Sequence, residues 1–100
     1  MTPEVAARLE KLHIQWTLNE KGFALFHRGD LAVMSSFSNG RFTAGSTGMM
    51  TENGLSYLVW RDGKPVLAAH GGNEIAATPE QLEEMQRFST DVKKALELSE

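Results

Sequence analysis

The sequence predicts an α+β fold in which one antiparallel sheet carries an N-terminal and a C-terminal helix packed on one face. Apolar residues recur at helical spacing near both ends of the chain and alternate with polar residues in between. The 100 residues, 41% of them hydrophobic, suffice for one modest core. We therefore expect a single domain over residues 1–100, with helices over 3–12 and 79–97 and a sheet over 14–70.

Both predicted helices begin with the same signal. Thr2-Pro3-Glu4 and Thr78-Pro79-Glu80 each supply a capping hydroxyl, a proline suited to the first helical position and an acid in the first turn. Gln81 adds the spacing of a capping box to the second helix. An apolar stripe that can pack on a sheet follows each start: Val5, Leu9 and Leu12, then Leu82, Met85, Phe88, Val92 and Leu96.

The central part of the chain predicts five or six strands in meander order. Asn39-Gly40 is typical of a two-residue type I′ hairpin turn, which places Phe37 opposite Phe42. Residues 45–54 have the composition of a loop, although Asn53-Gly54 leaves open a further short strand and hairpin. The strand-like runs are 14–18, 23–27, 31–37, 55–61 and 64–69.

A proline near the start of the last run predicts a sheet edge. A turn at Asp62-Gly63 pairs Trp60 with Pro65 in a non-hydrogen-bonded pair, where the proline nitrogen points away from the partner strand. A further strand on the outer side cannot use that position, so we expect 64–69 to be an edge. Residues 66–69 would then accept a partner's strand, unless Pro65 only protects the edge from aggregation.

Composition and charge exclude several classes of function. The chain has no cysteine, which rules out disulfides, thiolate catalysis and cysteine-ligated zinc and favours a cytoplasmic setting. It has no apolar run long enough to span a membrane, and "MTPEVAARLEKL" lacks the pattern of a signal peptide. The net charge is -3, with seven acids and three bases over residues 73–100, so no basic face for nucleic acid is expected.

The candidates for chemistry are few. His13, His27 and His70 are separated along the chain and form no metal-binding pair. The serines show no Ser/His/Asp spacing, and the glycine-rich stretch at 44–48 lacks the lysine of a phosphate loop. We therefore expect no catalytic residue, metal or cofactor. The alternative is a small ligand-binding or enzyme domain with His27 or His70 as a general base.

The prediction for function is a non-enzymatic protein-binding module, such as a phage or mobile-element inhibitor or adaptor that occludes a partner protein. The partner would meet the open edge, the segment 45–54 or the acidic last helix, and a homodimer through the edge or that helix is compatible with this. The residues expected to contact the partner are Met49, Met50, Val66, Leu67, Glu80, Glu83 and Glu84.

A second hypothesis assigns the sheet to single-stranded nucleic acid. Aromatic side chains beside arginines on one sheet face stack bases without reading their sequence. The same aromatic residues are also needed for the core of a chain this short. The residues that would form such a face are Trp16, Arg41, Phe42, Trp60 and Arg61.

Overall fold

The computed structural model describes residues 2–38, 41–43 and 45–96, and in these ranges it shows two helices and eight strands. The α+β class, the antiparallel sheet and the two terminal helices are confirmed, whereas the strand count exceeds the predicted five or six. In chain order the elements are α1 Pro3–Lys11, β1 Gln15–Leu18, β2 Phe23–Arg28, β3 Leu31–Ser38, β4 Arg41–Thr43, β5 Thr47–Thr51, β6 Gly54–Arg61, β7 Lys64–Ala69, β8 Glu74–Ala76 and α2 Pro79–Ala95.

The strands form an antiparallel meander, except that β4 and β5 both pair with the same side of β3. The sheet order is β1-β2-β3-β5-β6-β7-β8, and β4 pairs with β3 off this path. β2 occupies one side of β3, so β5, which pairs with residues 31–33, and β4, which pairs with residues 36–38, follow one another along the other side. The link between them passes so close to β3 that a Cβ at Gly45 would overlap the Met34 carbonyl.

The predicted sheet edge at 64–69 is wrong, because β8 pairs with Val66, Leu67 and Ala68 on the outer side of β7. The pairing of Trp60 with Pro65 is as predicted. The proline does not exclude β8 because its contribution there is its carbonyl, which accepts from the Ala77 N–H at 3.0 Å. A missing N–H matters only where the ladder needs a donor.

Segments that the sequence left ambiguous become regular strands. β5 lies within the stretch 45–54 and forms a hairpin with β6, but Thr51 pairs with Gly54, so the turn is Glu52-Asn53, one residue before the predicted Asn53-Gly54. The sheet runs on to Ala76, beyond the expected limit at residue 70. Phe37 and Phe42 are opposed as predicted, while the turn residues 39 and 40 between them lie outside the described residues.

The helix starts follow the predicted signals. The Thr2 hydroxyl accepts from the Val5 N–H at 3.3 Å, and Thr78 and Gln81 form both bonds of a capping box, at 2.9 and 3.1 Å. α1 ends one residue before its predicted limit, after which His13 adopts a positive φ of 59°. α2 ends at Ala95, and residue 97, the predicted end, lies outside the described part of the chain.

Both helices pack on the same face of the sheet, which we call the helix side. Phe26 and Phe88 are fully buried at its centre, and the rings of Phe26 and Phe42 meet edge to face with centroids 5.7 Å apart. A smaller cluster of Met49, Leu67 and Met85 lies under the start of α2. The buried residues of the main cluster are Leu9, Ile14, Ala24, Phe26, Val33, Phe42, Phe88, Val92, Ala95 and Leu96.

One arginine joins the sheet to both helices. Arg28, at the end of β2, donates from Nη1 to the Leu12 carbonyl at 2.8 Å, at the end of α1. Its Nη2 donates to the Asp91 carboxylate of α2 at 3.0 Å, and its guanidinium lies 5.0 Å from the centroid of the Phe88 ring. The side chain is 29% exposed, so these bonds are partly shielded from water.

Replacing Arg28 is expected to loosen both helices. Arg28→Ala removes two charge-assisted hydrogen bonds and a cation–π contact, and should lower the free energy of unfolding by about 2–3 kcal/mol. Arg87→Ala is the matched control, since Arg87 pairs with Glu83 at the surface of α2 and should cost less than about 0.5 kcal/mol. Urea denaturation measures both, and equal losses would contradict the assigned role of Arg28.

Candidate functional site

Within residues 2–38, 41–43 and 45–96, no helix covers the sheet face opposite α1 and α2, and we call this the open face. Because side chains alternate along a strand, the pairing register separates the residues of this face from those of the helix side. Three large apolar side chains stand out on it: Phe23, Met34 and Met50 are 47%, 43% and 52% exposed. From β2 to β7 the described residues of the open face are Phe23, Leu25, His27, Ala32, Met34, Ser36, Thr43, Gly48, Met50, Leu55, Tyr57, Val59, Val66 and Ala68, followed by Arg61 and Lys64 at one corner.

The open face carries little charge. Among the residues whose side chains are described, its aspartate, glutamate, lysine and arginine side chains are Arg61, Lys64 and Glu74, all at the corner formed by β6, β7 and β8. Arg61 and Glu74 neutralise each other through bonds from Nε at 3.2 Å and from Nη2 at 2.9 Å. Monomeric proteins seldom expose a continuous apolar area of this kind unless it meets a partner.

The open face contains two surface hollows. Both are lined by Phe23 and Met34; one has a volume of about 460 Å³ towards β1, and the other about 290 Å³ towards Tyr57. Gly48 pairs with Tyr57 across β5 and β6, and a Cβ at position 48 would lie 3.2 Å from the tyrosine ring. The glycine therefore lets the ring lie low on the sheet. The remaining residues that line the hollows are Thr17, Leu18, Asn19, Ala24, Leu25, Ser35, Ser36, Gly45 and Ser46.

The residues predicted to contact a partner fall into three places. Met50 and Val66 lie on the open face, where Met50 is about half exposed and Val66 is half-buried. Met49 and Leu67 point the other way and are 6% and 0% exposed beside Met85, so their side chains do not reach the surface. The exposed acids of α2, on the far side of the molecule from the open face, are Glu80, Glu83 and Glu84.

The residues proposed for nucleic acid are not brought together. Phe42 is 9% exposed within the core, and Nε and Nη2 of Arg61 donate to the Glu74 carboxylate. Trp16 and Trp60 are 37% and 55% exposed. They lie on the helix side of β1 and β6, and four strand spacings separate those strands by about 19 Å. The side chain of Arg41 lies outside the described part of the structure.

The histidines are also dispersed. His13 is exposed after α1, His70 is exposed after β7, and His27 is half-buried on the open face of β2. Among the described residues, no hydrogen bond links a histidine side chain to a carboxylate, and no group of three metal-ligating side chains forms a site. The geometry of these residues thus supplies no acid–base pair.

Sequence reasoning missed most of the open face. No role is predicted from the sequence for Phe23, Leu25 and Met34, although they line its two hollows. The sequence "FALFH" indicates a second apolar face, because Phe23 and Leu25 alternate with Ala24 and Phe26 and thus lie on opposite faces of the strand. A strand with two apolar faces is typical of a sheet that is covered on both sides. Here the protein itself covers one side.

Comparison with models of known protein families, with curated proteins and with solved structures gives no significant match. Within the described residues, neither helix has the length and apolar character that crossing a bilayer requires.

The charged corner predicts a measurable titration. Hydrogen bonds from Arg61, with a smaller contribution from its charge, hold the pKa of Glu74 below its ordinary value. A lowered pKa means that the pair stabilises the fold above the ordinary glutamate pKa of about 4.3, and that this contribution is lost as the pH falls through the lower folded value. Carboxyl ¹³C NMR should show the Glu74 midpoint rising in Arg61→Gln. An unchanged midpoint would contradict the pairing.

Proposed function

We propose that this protein is a small non-enzymatic binding module whose open face docks an apolar surface of a partner protein. The observation that carries the proposal is that Phe23, Met34 and Met50 are each about half exposed on a face whose described strand residues carry charge only at the corner of β6, β7 and β8. Apolar and methionine side chains of this kind dominate the energy of protein interfaces because they lose water on contact.

The expected partner surface is uncharged and apolar. Complete burial of one such side chain contributes about 1.5–3 kcal/mol. Phe23 and Met34, which line both hollows, form the anchor for a specific complex, and Met50 extends it further along the face. The acids of α2 lie on the opposite side of the molecule, where they keep that side hydrated and direct binding to the open face. Met50 and Val66, which are expected at the interface from the sequence, lie on this face, and their position supports the proposal.

The biological role follows as an extension of this proposal. A 100-residue domain with one adhesive face suits an adaptor or an inhibitor that covers a functional surface of its target, as on phages and mobile elements. The absence of cysteine agrees with a cytoplasmic setting. Neither single-stranded nucleic acid nor a histidine-based reaction gains support from the positions of the residues that they require.

Adding a charge to the open face should abolish binding. We expect a photoreactive phenylalanine analogue at Phe23 to cross-link the partner in cells, and Met34→Glu to remove that product because the new carboxylate would lose its water at the interface. Gln86→Glu is the control, since it adds the same charge to an exposed position of α2. If the analogue at Thr90 of α2 captured the partner and the one at Phe23 did not, the open face would be excluded.

Nucleic acid provides a second discriminating measurement. The exposed tryptophans, Trp16 and Trp60, would report stacking of bases by fluorescence quenching. Because they are far apart and Arg61 is paired, we expect no quenching by single-stranded oligonucleotides at low salt. Saturable quenching that weakens with added salt would instead support a nucleic-acid interface.

A further inference from the structure

The edges of the sheet differ in how well they are protected against pairing with a strand of another chain. Among the described strands, β1 and β8 end the sheet, and β4 leaves a short outer side beside β3. β8 and β4 have three residues each, and β8 carries Glu74 paired with Arg61. β1 has four residues, all exposed, with neither a proline nor a charge. Proteins usually block exposed edges with such residues, so β1 is the least protected edge of this sheet.

The outward-pointing backbone groups of β1 can be identified from one hydrogen bond. The Asn19 N–H donates to the Phe23 carbonyl at 2.9 Å, which fixes Asn19 as a residue facing β2. Backbone groups alternate in direction along an antiparallel strand, so Thr17 and Gln15 also face β2. The N–H and C=O of Trp16 and Leu18 therefore point away from the sheet, where no described strand meets them.

We propose that β1 pairs antiparallel with β1 of a second copy of this chain, about a twofold axis through Thr17. This register places Trp16 of one copy directly opposite Leu18 of the second copy. Both residues direct their N–H and C=O towards the new partner, so the two symmetric pairs form four hydrogen bonds and use every outward group of the strand. The inference is independent of the open face and of what that face binds.

The side chains of β1 match this register. Trp16 and Leu18 lie on the helix side of the strand and are 37% and 40% exposed. A twofold axis perpendicular to the sheet joins helix side to helix side, so each tryptophan packs against a leucine of the other copy. Thr17 meets Thr17 on the open-face side. β1 contains no like charges that would repel across the axis.

The distribution of charge also favours a second copy. Each chain carries a net charge of -3, with the acids concentrated on the last segment, but α2 packs over β3 and β5, away from β1. The β3 strands of the two copies would be five strand spacings, about 24 Å, apart. That distance exceeds the screening length of about 8 Å at physiological salt, so the two acidic helices do not oppose association.

Cysteine cross-linking tests the register, because the chain has no cysteine of its own. In Thr17→Cys the two new residues face each other in a non-hydrogen-bonded pair with Cα atoms about 4.5 Å apart, within the range for a disulfide. Gln15→Cys is the matched control on the same face of the same strand. Its two copies are offset by four residues, about 13 Å, which is too far to bond.

We expect Thr17→Cys to become a disulfide-linked dimer under mild oxidation while Gln15→Cys stays largely monomeric. Sedimentation of the unaltered protein should give twice the chain mass of 11.1 kDa. Leu18→Pro should return it to the monomer, because proline there removes only an outward N–H and leaves the bonds to β2 intact. Circular dichroism shows whether that variant remains folded.

Three results would overturn the proposal: an unaltered protein that sediments as a monomer, equal cross-linking of Gln15→Cys and Thr17→Cys, or a folded Leu18→Pro variant that remains a dimer. Met34→Glu separates this inference from the proposed function. It should retain the dimer mass while losing the partner at the open face, so either surface can fail without the other. A loss of the dimer in Met34→Glu would place the self-contact on the open face and contradict the β1 register.

Discussion

The attachment of both helices to a single strand through Arg28 determines the organisation of this protein. The guanidinium bonds to the end of α1 and to Asp91 of α2 and lies against the Phe88 ring. A second arginine, Arg8 of α1, donates from Nε to the Ala95 carbonyl at 2.8 Å, near the end of α2, where a cation is favoured by the helix dipole. These contacts hold both helices on one side of the sheet, and the other side is left without a cover from this chain's helices.

The features that were predictable from sequence are those set by neighbouring residues. The helix starts at Thr2 and Thr78 follow from hydroxyl, proline and acid in succession, and the structure contains the corresponding bonds. The Asp62-Gly63 turn is equally local, since both residues have the positive φ angles, 51° and 77°, that a type I′ turn requires. That turn then fixes the register of a whole hairpin.

The features that were not predictable depend on distant parts of the chain. Pro65 shows that one position cannot donate a bond, but whether β8 returns to that side is decided by residues 70–77. Likewise, Met49 and Met50 are adjacent and chemically identical, and only the direction of β5 sends one into the core and the other to the surface. Where the side chains on both faces of a strand are apolar, as in β2, the sequence does not reveal which face the helices will cover.

The close passage of the chain at Gly45 has a consequence for how this sequence can evolve. Gly45 packs against the backbone of Met34, so any larger residue there would have to displace β3 at the point where Met34 enters the open face. The contact is with backbone atoms, so glycine should be kept at position 45 whatever side chain stands at position 34. The shape of the open face is thus constrained by a residue that carries no side chain, and evolution can change the side chain at Met34 far more readily than Gly45.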